Sequence, residues 1–118
     1  MQLLYAAMGI TFNVVSIVLL RHGAAGLTPT SPYAGIIVLA VYAISVLFSR
    51  RWRSIPRRLL LGFWFLILGY GGVITHVLNG SDLQHYHSTA AWVAAIGTNA
   101  FGVVVNVCAF FARHPNEA

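Results

Sequence analysis

The sequence predicts an all-α integral membrane protein, a bundle of four transmembrane helices joined by short loops. Of its 118 residues, 58% are hydrophobic and only 8% are charged, whereas a typical soluble domain carries about 25% charged residues. A bilayer core of about 30 Å needs roughly 20 apolar residues per helix. Residues 1–118 are therefore predicted to form a single transmembrane domain of four crossings.

The first two predicted spans are residues 3–20 and 33–48. The first apolar run stops at Arg21, where charge and then glycine replace it. The segment that follows, up to Pro32, is rich in glycine, threonine and proline, which is typical of a loop. The second apolar run is short and ends at Ser49, directly before a cluster of arginines.

The third and fourth predicted spans are residues 58–78 and 89–112. Pro56 precedes the third span, in the first turn of a helix, where a missing N–H is tolerated. An Asn-Gly pair ending at Gly80 is a helix stop signal. Ser88 suits the N-cap position of the fourth span.

The arginines predict the orientation of these spans. Five of the seven lie in the loop between the second and third spans, namely Arg50, Arg51, Arg53, Arg57 and Arg58. Arg113 would lie on the same side of the membrane, and only Arg21 on the other. Because positively charged loops stay in the cytoplasm, both termini are predicted to be cytoplasmic. The loop arginines are expected to contact anionic lipid head groups, and Tyr33, Tyr86 and Trp92 are expected at the opposite interface.

The charge also bears on partners and location. The formal net charge is +5, but the arginines cluster beside apolar runs, so lipid rather than nucleic acid is the predicted partner. Other integral membrane subunits are further expected partners. Lysine is absent while arginine is frequent, which suggests a GC-rich bacterial genome. The predicted location is therefore the bacterial cytoplasmic membrane.

Each predicted helix has one face of small or polar residues, because positions three, four and seven apart share a face. The faces are Ala6, Gly9, Asn13 and Ser16; Gly35, Tyr42, Ser45 and Ser49; Gly62, Gly69, Gly72 and His76; and Ala91, Ala95, Asn99, Gly102 and Asn106. Helices in lipid associate through close contact of small residues and through hydrogen bonds. Helix packing or partner contact is expected for Gly9, Asn13, Gly62, Gly69, Gly72, Asn99, Gly102 and Asn106.

Two of these polar residues, Asn13 and Asn99, lie near the middle of antiparallel spans. At similar depth they could form an interhelical hydrogen bond that fixes packing. The alternative is that they line a polar pathway or contact a ligand.

The candidate metal or haem ligands are His76, His85 and His87, near Asp82. Imidazoles beside a carboxylate can hold zinc or copper, and a buried histidine can ligate haem iron. The histidine pattern does not distinguish a metal or haem site from histidines without a ligand, because His-x-His pairs are common and no other span offers a second buried histidine. The sequence therefore identifies no cofactor.

No catalytic constellation is visible, so no enzymatic activity is predicted. Cys108 is the single cysteine, which excludes an intrachain disulfide and a thiolate zinc cluster. Hydrolase and phosphate-binding motifs are also absent. In size and four-span topology the chain resembles small multidrug exporters. Those exporters work through a carboxylate inside the membrane, and no Asp or Glu lies in any predicted span.

These observations favour a non-enzymatic subunit that packs on a larger membrane complex and stabilises or positions it, for example in an energy-converting, photosynthetic or transport assembly. One alternative is a small oligomeric channel or transporter lined by Asn13, Asn99, Asn106 and Ser45. A further alternative is a membrane protein that binds haem or a metal through its histidines.

Overall fold

The computed structural model describes residues 1–80 and 86–112, and every regular element in these two ranges is helical. The four helices are α1 (Gln2–Arg21), α2 (Pro32–Ser49), α3 (Ser54 to Asn79) and α4 (Thr89–Phe111). Each is long and apolar enough to cross a membrane. The prediction of an all-α chain with four such helices is confirmed.

Helix α3 is not uniform along its length. It consists of an α-helical segment, Ser54–Ile67, a π-helical segment, Leu68–Ile74, and a last α-helical stretch, Thr75–Asn79. The helix begins four residues before the predicted span start at position 58. Pro56 therefore lies in its first turn, where no intrahelical N–H partner is needed.

The helix ends follow from local side chains. The Ser31 hydroxyl accepts a hydrogen bond from the Ala34 amide (3.4 Å), and Ser88 caps α4 by accepting from the Ala91 amide (3.1 Å). The predicted N-cap at Ser88 is thus confirmed. Helix α3 ends at Asn79, and the φ of 64° at the next residue, Gly80, lies in the region that favours glycine.

The helices alternate in direction, so the bundle has two distinct ends. The basic end carries the start of α1 and α3, the end of α2 and α4, and the arginine loop. The opposite end, called here the loop end, carries the segment between α1 and α2. Helix α1 packs against both α2 and α4, α4 packs against α3, and α2 makes fewer contacts with α3.

The core lies nearer the basic end and is largely aromatic. Tyr42 of α2 is fully buried between Tyr5 of α1 and Trp64 of α3, with ring centroids 5.5 and 5.2 Å away in edge-on geometry. Such geometry is the favoured one for aromatic pairs. Leu39 and Leu68 complete the buried cluster on the side toward the loop end.

The outer surface of the bundle is apolar on all four helices. Examples are Ile37 with 64% of its surface exposed, Leu66 with 67% and Val104 with 57%. Water would penalise so much exposed hydrocarbon, whereas lipid chains are as apolar as these residues. The surface therefore fits a bilayer.

Candidate functional site

A cavity of about 300 Å³ lies between the four helices toward the loop end. We call it the vestibule. Polar side chains line it from several helices, namely Tyr5 and Asn13 of α1, His76 of α3, and Thr98 and Asn99 of α4. Thr28, Thr30 and Ser31, from the α1–α2 connection, also contribute to its wall. The vestibule thus brings together residues from distant parts of the chain.

The two central asparagines both line the vestibule, and each donates its side-chain N–H within its own helix. Asn13 Nδ2 donates to the Gly9 carbonyl (2.8 Å), and Asn99 Nδ2 donates to the Ala95 carbonyl (2.9 Å). The Asn99 Oδ1 accepts from the Tyr5 hydroxyl (3.3 Å). The Asn13–Asn99 hydrogen bond that the sequence suggested is not the one formed, because each amide donates four residues back along its own helix.

Asn13 leaves an acceptor for the vestibule. Its Oδ1 has no hydrogen-bond partner among the described residues. No buried side-chain nitrogen or oxygen in that part of the chain lacks a partner, so this oxygen is open to the vestibule rather than sealed off. An open carbonyl oxygen of an amide accepts hydrogen bonds from a ligand or water.

His76 is held in place by two aromatic residues near the start of α4. Its Nδ1 lies 2.7 Å from the Tyr86 hydroxyl, and the Trp92 indole donates to its backbone carbonyl (2.9 Å). The His76 Nε2 has no hydrogen-bond partner within residues 1–80 and 86–112. Tyr86 is 1% exposed and packs edge-on against the imidazole; its predicted place at a membrane interface stays a prediction.

The π-helical segment of α3 forms one wall of the vestibule. Leu68, Gly71 and Gly72 line the cavity there. A Cβ at Gly72 would lie 2.6 Å from Asn99 Cγ, so the missing side chain lets α4 approach. A Cβ at Gly71 would have nothing within 4 Å. Short π-helical stretches within α-helices are frequent at functional sites.

The vestibule is closed toward the basic end. Tyr5, Leu39 and Leu68 line it and also belong to the buried core. Beyond them, Tyr42 and Trp64 are 0% and 5% exposed and do not line the cavity. Among the described residues, the vestibule therefore ends at this core on the side of the basic end.

Asn106, predicted beside the other asparagines, lies in the core and not in the vestibule. Its Oδ1 accepts from the Tyr42 hydroxyl and from Gln2 Nε2, both at 3.2 Å, and its Nδ2 donates to the Gly102 carbonyl (2.8 Å). Ser45 likewise lies outside the vestibule and accepts from the Trp64 indole (2.9 Å).

The predicted glycines divide into those in contact and those beside open space. A Cβ at Gly9 would meet Leu39 at 2.6 Å, and one at Gly102 would meet the Tyr5 ring at 2.5 Å. A Cβ at Gly69 would have only Val103 near, at 3.9 Å. Around Gly62 nothing lies within 4 Å of such an atom.

The arginines of the basic end lie at the surface. Arg50, Arg51, Arg53 and Arg58 are exposed, and Arg57 is half-buried. Arg58 also borders an apolar groove between α3 and α4. Arg113 falls outside the described residues. Contact with lipid head groups stays a prediction.

The predicted metal ligands are only partly described. His76 lines the vestibule, His87 is exposed, and His85 and Asp82 lie outside the described residues. Within the described ranges no group of three His, Cys, Asp or Glu side chains could hold a metal ion. Binding of a metal or haem stays a prediction.

Sequence reasoning missed Thr28, Thr30, Ser31 and Thr98 of the vestibule wall. It also missed Tyr5, the Tyr86–His76 contact and the π-helical segment. Tyr5 lies one helical turn before Gly9, so counting positions four apart would have placed it on the same face of α1. The Tyr86–His76 contact and the π-helical segment left no comparable signal in the sequence. No family model matches the chain, and neither a curated protein nor a solved structure matches it.

Proposed function

We propose that this chain is a non-enzymatic membrane protein that binds a small, uncharged polar molecule in the vestibule. The observation that carries the proposal is the cavity of about 300 Å³ that lies between four apolar helices yet is lined by amide, hydroxyl and imidazole groups. Polar groups inside a membrane span are costly and therefore mark functional positions. The volume is at the lower bound of small-molecule sites, about 300 Å³.

The lining chemistry supports an uncharged ligand. No Asp, Glu, Lys or Arg is among the described residues that line the vestibule. Two groups there have no hydrogen-bond partner among the described residues, the Asn13 Oδ1 and the His76 Nε2. A ligand that carries N–H or O–H groups complements the Asn13 oxygen, and His76 accepts or donates according to its tautomer.

The proposed orientation places the vestibule toward the outside of the cell. The loop of five arginines lies at the basic end, and positive loops favour the cytoplasm. Both termini are then cytoplasmic, and the loop end, with the vestibule, faces the outer side of a bacterial cytoplasmic membrane. The ligand would therefore enter from outside the cell.

A matched pair of glycine substitutions tests ligand binding. Gly71→Phe fills the vestibule from a position with open space, and Gly97→Phe adds the same ring at an equally open position that does not line it. The probe is trifluoroacetamide, followed by its fluorine NMR signal in detergent micelles against empty micelles. We expect broadening with the wild type and with Gly97→Phe, and its loss with Gly71→Phe. Equal broadening in all three proteins would contradict the proposal.

Transport and haem binding are separated by two further measurements. A vestibule that ends at the core predicts no flux of glycerol or urea into liposomes that contain the purified chain. Such flux would favour the channel alternative instead. A visible absorption spectrum with a Soret band that disappears on His76→Ala would favour haem binding over an uncharged solute.

Membership of a larger membrane complex remains a proposal of its own. The sequence argument for it was the presence of small and polar helix faces. In the structure, Gly9, Gly72 and Gly102 face neighbouring helices of the same chain, so internal packing accounts for these positions. Co-migration with other polypeptides in mild detergent would support a subunit role, and migration of the chain alone would count against it.

A further inference from the structure

A second cavity, distinct from the vestibule, runs along the outside of the bundle. It is a groove of about 820 Å³ between α3 and α4. Its walls are almost wholly apolar, with Leu59, Phe63 and Leu66 from α3 and Val107, Phe110 and Phe111 from α4. We call it the α3–α4 groove.

The length of this groove along α3 matches the thickness of one leaflet of a bilayer. Its α3 wall extends from Ile55 to Leu66, which is about 16 Å at 1.5 Å of rise per residue. Half of a bilayer core of about 30 Å is about 15 Å. A fatty acyl chain that lies along α3 therefore fits the length of the groove.

The charge at one end of the groove complements a lipid phosphate. Arg58 borders the groove itself, and Arg57 precedes it, half-buried in the same turn of α3. Guanidinium groups bind phosphate through paired, charge-assisted hydrogen bonds. A lipid with a negative head group can place its phosphate at Arg58 while its chain follows the apolar wall.

Gly62 opens the middle of the groove. It lines the groove, and a Cβ there would have no atom of the described residues within 4 Å. In contrast to Gly102, this glycine is not needed for contact between helices of the bundle. Its missing side chain instead leaves room beside the α3 backbone.

We propose that the α3–α4 groove is a binding site for one anionic phospholipid, with its phosphate at Arg58 and an acyl chain packed against Gly62 and Leu66. The same charges disfavour a second copy of this chain in the same membrane orientation, because such a pairing through the groove brings two clusters of five arginines together. The site does not depend on the vestibule or its ligand.

Native mass spectrometry of the purified full chain in mild detergent tests this site. The probes are palmitoyl-oleoyl phosphatidylglycerol and the matching phosphatidylcholine. We expect one phosphatidylglycerol to bind at least tenfold more tightly than phosphatidylcholine. Gly62→Leu should weaken phosphatidylglycerol binding about tenfold, whereas Gly97→Leu, at an open position outside the groove, should change it less than twofold. Equal affinity for the two lipids would overturn the proposal.

A second pair of variants covers the case in which Gly62→Leu does not fold. Leu66→Trp obstructs the groove at a side chain that is already 67% exposed, so it should weaken both the affinity and the lipid preference. Arg58→Gln should remove the preference for phosphatidylglycerol, and Arg51→Gln, at an exposed loop position away from the groove, should retain it. If the preference survives both Leu66→Trp and Arg58→Gln, the lipid does not occupy this groove.

A photo-crosslinking residue at Leu59 identifies the occupant in membranes. Lipid adducts at this position would support the proposal. A crosslinked polypeptide, whether a second copy or another protein, would overturn it in favour of a protein interface.

Discussion

Asparagines toward the two ends of the bundle donate the same hydrogen bond through Nδ2 but differ in what surrounds their Oδ1. Asn99, near the loop end, and Asn106, near the basic end, each donate Nδ2 to the carbonyl four residues earlier. Asn106 Oδ1 then accepts from both Tyr42 and Gln2. Among the described residues, Asn99 Oδ1 accepts only from Tyr5, and Asn99 borders an open cavity.

This difference separates a packing role from a binding role. At the basic end the acceptor is saturated by residues from α1 and α2, so the asparagine joins three helices. Toward the loop end, Asn13 also donates Nδ2 to the carbonyl four residues earlier, but its Oδ1 has no hydrogen-bond partner among the described residues. One polar arrangement therefore fixes the bundle at one end and leaves hydrogen-bonding capacity at the other.

The largest expected effect is at Gly102, in the tightly packed half. Gly102→Ala places a methyl group 2.5 Å from the Tyr5 ring, which must move within a full core. We expect the free energy of unfolding to fall by about 2 kcal/mol, measured by reversible denaturation in detergent. Gly97→Ala is the control at an open position and should be neutral or slightly stabilising. Equal losses at both positions would remove the distinction between packed and open glycines.

The next effect compares the asparagines directly. Asn106→Leu removes the acceptor of Tyr42 and Gln2, and the buried Tyr42 hydroxyl loses its partner. Interhelical hydrogen bonds in membranes contribute about 1 kcal/mol each, so we expect a loss of about 1–2 kcal/mol. Asn13→Leu removes a hydrogen bond within its own helix, so it should cost less in stability but abolish the broadening of the trifluoroacetamide signal. The opposite ranking would contradict the assignment of the two ends.

The sequence predicted the helices because their cause is local. Long apolar runs, the serine cap at Ser88 and the stop at Gly80 depend on residues close in the chain. Counting at 100° per residue also placed Gly9, Gly102 and Asn106 on their helices' inner faces. These positions follow from helix geometry and the penalty for exposing polar groups to lipid.

The vestibule could not be predicted in the same way. Its lining depends on how far four helices separate, which the widened turns of Leu68–Ile74 and the close approach at Gly72 determine together. The contact of Tyr86 with His76 also requires Tyr86, three residues before α4, to lie against α3. Counting helix positions therefore placed Asn99 and Asn106 on one face of α4, although Asn99 lines the vestibule and Asn106 lies in the core.

A smaller effect is expected when the hydrogen bond between His76 and Tyr86 is removed. Tyr86→Phe removes the hydroxyl that lies 2.7 Å from Nδ1 but keeps the ring that packs on the imidazole. We expect unfolding to become easier by about 1 kcal/mol and the affinity for trifluoroacetamide to fall several-fold, because the imidazole is no longer fixed toward the vestibule. Tyr33→Phe, at an exposed position on α2 outside the vestibule, should change neither quantity. Unchanged affinity in Tyr86→Phe would limit this tyrosine to a structural role.

The smallest effect concerns Gly71, the open glycine in the vestibule wall. Gly71→Ala introduces a methyl group with no atom within 4 Å, and alanine favours a helix over glycine by up to about 1 kcal/mol. The π-helical turns reduce that gain, so we expect a change in unfolding free energy of at most about 0.5 kcal/mol together with a modest loss of trifluoroacetamide affinity. A large destabilisation would mean that the wall at Gly71 is packed as tightly as the core at Gly102. The loop end would then be a second core, and the contrast between the two ends would disappear.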